Sequence, residues 1–154
     1  NGRVSWLTGT LLTVLAPPNG LRMLFLDTHV ALWLYAEPAR IPMATQRIID
    51  AEELFLSPMA RLEMSFLFEM GRLTDEPEGI IGALARDLQL SIETAGWARA
   101  AEIGAHLTWT RDPFDRLITA HALCYNAGLC TRDGTIRDHY SHAVWETDRS
   151  VQAT

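Results

Sequence analysis

Lysine is absent from this chain of 154 residues, so its contacts with acidic partners cannot use a lysine side chain. All 13 basic residues are arginine, and with 19 acidic residues they give a net charge of −6. A chain with net negative charge is not expected to hold nucleic acid through a broad basic surface. An enzyme whose acidic site is neutralised by metal ions remains compatible with this charge.

Cysteines, glycine-rich loops and long apolar runs are also scarce. The two cysteines, Cys124 and Cys130, match neither a Cys-x-x-Cys pair nor a disulfide framework. No Gly-x-Gly-x-x-Gly or Walker sequence is present, which argues against a dinucleotide or nucleoside triphosphate site. The longest apolar stretch is too short to cross a bilayer. We therefore expect a cytoplasmic protein that makes no contact with a membrane.

The domain organisation follows from composition along the chain. Residues 1–22 contain a short apolar stretch closed by Pro17, Pro18 and Gly20, and we interpret them as an extension of uncertain origin. A structural N-terminal arm and a secretory signal are the alternative interpretations. One globular domain is predicted over 23–146 and a C-terminal tail over 147–154, since 48% hydrophobic residues supply a sizeable core.

Short apolar runs alternate with helical patterns throughout the predicted domain. The predicted strands are 23–26, 54–57, 88–92, 128–131 and 143–145. The predicted helices are 29–36, 43–52, 58–72, 77–87, 94–107 and 113–126. This alternation predicts an α/β fold with a mostly parallel sheet, and such sheets bind ligands beyond the carboxyl ends of their strands.

An aspartate follows the first predicted strand directly, in the stretch MLFLDTHVALW over residues 23–33. A strand of this apolar character is expected to be buried, and burying the Asp27 carboxylate is costly unless a cation or several hydrogen bonds compensate it. Asp133 follows the fourth predicted strand, so both acids are expected at the same edge of the sheet. Alone, the Asp-Gly pair at 133–134 would indicate only a turn.

Two predicted helices each carry an acid near their start. In SPMARLEMSFLFEM, Ser57 is predicted as the N-cap and Pro58 as the first helical residue. Glu63 lies in the middle of the apolar face of this helix, which is formed by Met59, Phe66, Leu67 and Met70. An internal ion pair is the alternative explanation for Glu63. In RDPFDRLITAHA, Asp112 is assigned to capping and Asp115 to chemistry, although both acids would also stabilise a helix N-terminus.

Three histidines are not assigned to a functional site. His121 is expected to pack in the core, and His139 and His142 are expected on the solvated surface. Four of the acids discussed above come from separate segments that an α/β sheet can bring together. They are Asp27, Glu63, Asp115 and Asp133. Crowded carboxylates repel each other, and oxygen ligands suit Mg²⁺ or Mn²⁺, so the sequence predicts a site for such an ion.

In their order and spacing, LDTHVALW, SPMARLEMSFL, RDPFDRLITAHA and TRDGTIRDHY resemble the PIN domain, and most of all the VapC-type toxin ribonucleases. The resemblance implies a three-layer α/β/α fold and Mg²⁺- or Mn²⁺-dependent endoribonuclease activity on RNA. It also implies a cognate VapB-like antitoxin and a homodimer. Its acidic site falls on Asp27, Glu63, Asp115 and Asp133, with Thr131 as an auxiliary polar residue.

Four arginines flank the acidic motifs and are interpreted either as groups that steer RNA phosphates or as ordinary surface residues. They are Arg111, Arg116, Arg132 and Arg137. Two other functions stay open at this point. A phosphoaspartyl hydrolase needs a second aspartate where this chain has His29. A non-catalytic PIN-like interaction module would use apolar residues such as Trp33, Leu34, Tyr35, Phe66 and Phe68 as a groove for a partner helix.

Overall fold

The apolar run over residues 23–26 forms the central strand of the sheet. In the computed structural model, which describes Leu15 and residues 22–148, strand β1 (Met23–Leu26) is buried along its whole length. A strand covered on both faces is expected to be continuously apolar rather than alternating. The other strands are β2 (Glu53–Leu56), β3 (Ser91–Ile92), β4 (Gly128–Cys130) and β5 (Ala143–Val144).

Helices connect the strands and cover the sheet. In chain order they are α1 (Thr28–Ala36), α2 (Met43–Ala51), α3 (Pro58–Glu69), α4 (Pro77–Leu88), α5 (Trp97–Gly104), α6 (Pro113–Cys124) and α7 (Gly134–His139). A single 3₁₀ turn over Pro38–Arg40 lies between α1 and α2. Among the described residues, no helix has both the length and the apolar character that a bilayer span requires.

The sheet has the strand order β3-β2-β1-β4-β5, and every neighbouring pair is parallel. The predicted α/β/α architecture with a parallel sheet is therefore confirmed. The chain leaves β1 for β2 on one side and returns to β4 on the other, so the direction of winding changes beside β1. Ligands of open α/β sheets bind at such a point, beyond the carboxyl ends of the strands.

The start of α3 is fixed by local chemistry that the sequence analysis predicted. The hydroxyl of Ser57 accepts a hydrogen bond of 3.3 Å from the amide of Met59, and Pro58 occupies the first helical position. Proline fits there because the first amides of a helix have no internal partner. Asp112 and Pro113 start α6 in the same way, with Asp112 accepting from the amide of Phe114 at 2.8 Å.

Several element boundaries differ from the prediction. Helix α4 continues to Leu88 and ends where Gln89 takes a left-handed conformation with φ of 54°, which shortens the predicted strand 88–92 to two residues. Helix α5 begins only after Gly96, whose φ is 74°, and not at residue 94. The sequence analysis did not predict α7, because it treated the Asp-Gly pair as a turn signal.

The structural roles expected for the cysteines and histidines are confirmed within the described residues. Cys124 and Cys130 are both free and buried. His121 is fully buried, with Nδ1 3.2 Å from the hydroxyl of Ser57 and Nε2 3.0 Å from the carbonyl oxygen of Ala95. It therefore fastens α6 to the start of α3. His139 and His142 are exposed, as expected.

Helix α2 lacks a capping side chain of its own, and the predicted C-terminal tail supplies one. Pro42 precedes the helix and makes no side-chain cap. The carboxylate of Asp148 instead accepts from the amides of Met43 at 3.2 Å and Ala44 at 2.9 Å. The backbone of Glu146 exchanges two further hydrogen bonds with the Thr45 hydroxyl. The segment that follows β5 thus belongs to the packed domain at least as far as Asp148.

We expect Asp148→Ala to lower the free energy of unfolding by about 1 kcal/mol, the usual effect of losing a capping side chain. Urea denaturation measures the change. Glu146→Ala is the matched control, because Glu146 contacts Thr45 through its backbone alone. Equal stability of the two variants would contradict the capping role of Asp148.

Candidate active site

The carboxyl ends of β1 and β4 form the floor of the candidate site. The amide of Asp27 donates to the carbonyl oxygen of Cys130 at 3.0 Å, so the pairing of β1 with β4 continues one residue past the end of β1. Thr131 follows β4 directly and extends its pairing with β5 through Val144. Asp27 and Thr131 are therefore brought side by side by the register of the sheet, although 104 residues separate them in the chain.

Asp27 is only 3% exposed, and its carboxylate is compensated by a set of hydrogen-bond donors. Oδ1 accepts from the amide of Thr28 at 2.8 Å, which makes Asp27 the N-cap of α1. Oδ2 accepts from the hydroxyl of Thr131 at 2.6 Å and lies 3.4 Å from Nδ1 of His29. A carboxylate has about four acceptor positions, so Oδ1 retains one position for a further ligand.

Thr131 also connects Asp27 to Asp133. Its hydroxyl donates to Asp27 and accepts from the amide of Asp133 at 3.0 Å. Asp133 in turn caps α7, with Oδ1 accepting from the amide of Ile136 at 2.9 Å. The hydroxyl of Thr131 is fully buried and fixes the relative positions of two acids on neighbouring loops.

His29 joins the same two loops from the other side, and the sequence analysis did not identify it as part of the site. Its Nε2 accepts from the backbone amide of Arg132 at 3.1 Å. Because a backbone amide can only donate, the neutral ring carries its proton on Nδ1, the atom that faces Asp27. No local signal would have revealed this contact, since its two partners lie 103 residues apart in the chain.

Glu63 lies on α3 and is half-buried, not enclosed by an apolar face as the sequence pattern predicted. Phe66 and Met70, expected on the same buried face, are 44% and 61% exposed, while Ala60 and Met64 make the buried contacts of α3. Burial still raises the pKa of Glu63 to about 6, and the negative charges of Asp27 and Asp112 add to the rise. An interaction with the hydroxyl of Thr28 partly offsets it.

The pKa of Asp115 is affected by every other predicted acid of the site. Its pKa is raised to about 7, first by burial and then by the charges of Asp112, Asp27, Asp133 and Glu63. Charges act in this way only over short distances, because solvent and salt screen distant ones. The charges of the other three predicted acids therefore all act on Asp115. We call Asp27, Glu63, Asp115 and Asp133 the acid cluster.

The acid cluster is a group of electrostatic neighbours and not a closed coordination shell. Among the described residues, no three acidic, histidine or cysteine side chains lie close enough together to surround one ion. Its donor set is nonetheless the one that hard cations prefer, consisting of carboxylate oxygens from four elements. The buried hydroxyl of Thr28, beside Asp27, forms no hydrogen bond of normal geometry, and its oxygen keeps lone pairs beyond its interaction with Glu63. These residues fit Mg²⁺ or Mn²⁺ in their chemistry.

Arg116, predicted as an auxiliary residue, has a structural contact. Its Nε donates to the carbonyl oxygen of Thr110 at 2.7 Å, which ties α6 to the loop that precedes it. Asp112 likewise acts as the cap that the sequence predicted, accepting from the amides of Phe114 and Asp115. It also adds negative charge beside the acid cluster, as its effect on the pKa values of Glu63 and Asp115 indicates.

We expect Asp115→Asn to stabilise the metal-free protein at pH 8 by about 1–2 kcal/mol, a value reduced for partial solvent exposure. The Asp115 carboxyl binds its proton more tightly in the folded chain, where its pKa is about 7, than in the unfolded chain. Its ionisation therefore costs stability as the pH rises from about 4 towards 7, and asparagine removes that cost. Urea denaturation in EDTA at several pH values measures this.

Asp50→Asn is the matched control for Asp115→Asn, since it removes an exposed carboxylate from α2. Below pH 4 the wild-type protein and the Asp115→Asn variant should converge. If Asp115→Asn lowers stability at pH 8, Asp115 is not held in a repulsive environment.

We expect Thr131→Val to lower the free energy of unfolding by about 2–3 kcal/mol, because it leaves Asp27 and the amide of Asp133 without their buried partner. Thr131→Ser keeps the hydroxyl and should lose about 1 kcal/mol, through the missing methyl group. Urea denaturation of both variants measures the difference. A valine variant as stable as the serine variant would show that the hydroxyl does not hold the two loops together.

Comparison with known proteins gives matches over the region that contains the acid cluster. The model of the PIN domain matches residues 24–141. Ribonuclease VapC22 of Mycobacterium tuberculosis (strain ATCC 25618 / H37Rv) is 33% identical over 120 residues, which cover 74% of this chain and 89% of that protein.

Two solved structures share the fold. The VapBC2 structure from Rickettsia felis, bound to a DNA fragment from their promoter, aligns with a TM-score of 0.58 at 14% identity and covers 81% of this chain and 98% of that one. The VapBC-1 structure from nontypeable Haemophilus influenzae aligns with a TM-score of 0.55 at 18% identity, covering 81% and 97%. The family match spans most of the chain, including all four members of the acid cluster, and the protein belongs to the PIN domain family.

Proposed function

We propose that this protein is a Mg²⁺- or Mn²⁺-dependent endoribonuclease and the toxin of a VapBC-type toxin–antitoxin pair. One observation carries the proposal. The carboxylates of Asp27 and Asp133 follow the central strands β1 and β4 at the carboxyl edge of a parallel sheet. Burial, and then the charges of Asp112, Asp27, Asp133 and Glu63, raise the pKa of Asp115 to about 7. Such mutual repulsion is unfavourable for stability alone, and a divalent cation would relieve it. The 33% identity to Ribonuclease VapC22 supports the choice of RNA as substrate.

Asp27, Glu63, Asp115 and Asp133 would hold the cation together with bound water, since Mg²⁺ keeps several waters and these side chains do not enclose an ion by themselves. When bound, it would supply the positive charge that activates water and stabilises a phosphate group under attack. Asp27 contributes the fixed part of this arrangement, because two hydrogen bonds and the nearby ring of His29 hold its carboxylate and leave one acceptor position on Oδ1. Thr131 holds Asp133 in register with Asp27. Half-buried Glu63 on α3 and Asp115 on α6 would add the remaining negative charge.

A VapB-like antitoxin, a homodimer and a cytoplasmic location accompany this proposal. Their support is the resemblance to the VapC-type toxins and the shared fold with the two VapBC structures. The phosphoaspartyl alternative has no support in the geometry, because His29 occupies the place of the required second aspartate and is engaged by Arg132 and Asp27.

The test is cleavage of a panel of structured and single-stranded RNAs by the purified protein. We expect cleavage in Mg²⁺ or Mn²⁺, none in EDTA, and a loss of at least about 100-fold in kcat for Asp27→Asn. Asparagine keeps an oxygen that can accept from Thr28, so this variant should fold, which circular dichroism checks. Asp50→Asn should keep full activity.

Cleavage that persists in EDTA, or an Asp27→Asn variant as active as the wild type, would refute this mechanism. A second measurement needs no substrate. Addition of Mn²⁺ should raise the melting temperature of the wild-type protein but not that of Asp115→Asn, since ligand binding to the folded state stabilises it. An equal rise in both proteins would exclude Asp115 from the metal site.

A further inference from the structure

Arg132 carries a positive charge on the loop that also holds Asp133, a member of the acid cluster. It lies between Thr131 and Asp133, and its side chain is exposed. None of the ion pairs among the described residues includes Arg132. Its guanidinium carbon instead lies 5.9 Å from the ring centroid of Trp33, a cation–π distance that leaves the N–H groups free to bind an anion.

Helix α1 holds Arg132 at two points. The ring of His29 accepts from the backbone amide of Arg132 at 3.1 Å, and Trp33 lies under the guanidinium. His29 and Trp33 are one helical turn apart, with ring centroids separated by 4.9 Å in an edge-to-face arrangement. A long side chain that is already ordered loses less conformational entropy when it binds a ligand. The Arg132 side chain is thus held against the Trp33 ring before any ligand binds.

Trp33 also contacts a second arginine, and the contrast between the two is informative. Arg40 lies 5.7 Å from the ring centroid of Trp33, but its Nε forms an ion pair of 2.7 Å with Glu37. Its charge is therefore compensated within the protein. Trp33 packs in turn against Trp145 at 6.1 Å, which fixes the ring on which Arg132 rests. Of these two arginines, only Arg132 has a charge left for a ligand.

An anionic substrate approaching the acid cluster meets repulsion, both from the cluster and from the net charge of −6. A positive group at the rim of the cluster would compensate part of this repulsion, and the planar guanidinium matches the oxygens of a phosphate group. RNA presents a phosphate at every nucleotide, so a strand placed with one phosphate at the cluster has others nearby.

We propose that Arg132 binds an RNA phosphate next to the one that is cleaved, and that His29 and Trp33 hold it in place for this contact. The inference rests on the proposed nuclease function and assigns the substrate contact of that site. It concerns a binding step, so its main effect should fall on the affinity for RNA and on the salt dependence of that affinity.

The first test compares Arg132→Gln with Arg47→Gln, which removes the same charge from an exposed position on α2. We expect Arg132→Gln to raise KM for a cleaved RNA about tenfold while kcat changes less than about threefold. The slope of log(kcat/KM) against log salt concentration should become about one unit shallower. Arg132→Lys should keep most of the slope, because it keeps the charge. Arg47→Gln should change neither quantity.

Two further measurements separate a phosphate contact from a structural role. Fluorescence anisotropy with a labelled single-stranded RNA and the Asp27→Asn protein in EDTA needs no turnover. There the added Arg132→Gln change should weaken binding about tenfold. Trp33→Leu should raise KM in the wild-type background but not in Arg132→Gln, since residues that act through one contact are non-additive. Urea midpoints establish that each variant is folded.

The outcomes distinguish this inference from the function on which it rests. If the wild-type protein cleaves RNA but Arg132→Gln matches Arg47→Gln in KM and salt slope, the phosphate contact is refuted and the nuclease function stands. If Trp33→Leu weakens binding equally with and without Arg132, the positioning role of Trp33 is refuted. If the wild-type protein cleaves no RNA with any divalent metal, the proposed function fails and the inference with it.

Discussion

The buried carboxylate of Asp27 is the interaction on which the rest of the site depends. A charge at the end of a fully buried strand would be costly without compensation, and three groups supply it: the amide of Thr28, the hydroxyl of Thr131 and the ring of His29. These groups come from the start of α1 and from the loop that follows β4, so compensating one charge also joins the two central strand ends. Asp133 is positioned by the same junction, through the hydrogen bond from its amide to Thr131.

The crowded carboxylates of the acid cluster lower the stability of the folded protein. Burial and mutual repulsion raise the pKa of Glu63 to about 6 and that of Asp115 to about 7, so ionising either group is unfavourable in the folded protein. The neighbouring charges of Asp27, Asp112 and Asp133 are themselves partly compensated. Each of these acids caps a helix whose N-terminal end carries partial positive charge. An acidic site whose mutual repulsion a cation would relieve agrees with the proposed metal-dependent chemistry.

Much of the fold follows from local sequence patterns, and the exceptions have local causes. The starts of α3 and α6 were predictable because a capping side chain followed by proline satisfies the free amides of a helix end. Helix α7 was missed because the Asp-Gly pair fits a turn equally well, and only the capping contact of Asp133 with Ile136 distinguishes the two. The buried face of α3 was misjudged, since the apolar pattern does not show that Phe66 and Met70 remain exposed.

The sequence by itself determined which residues are candidates for the chemistry, namely four acids placed after strands or near helix starts. It also determined the α/β class that brings strand ends to one edge. Only the tertiary structure decided how those residues are held. The contacts of Thr131 with Asp27, His29 with Arg132, and Asp148 with the start of α2 each join positions more than 100 residues apart. Propensities and caps act over a few residues. The long-range contacts instead depend on the parallel pairing of β4 with β1, which is set by the packing of the whole core.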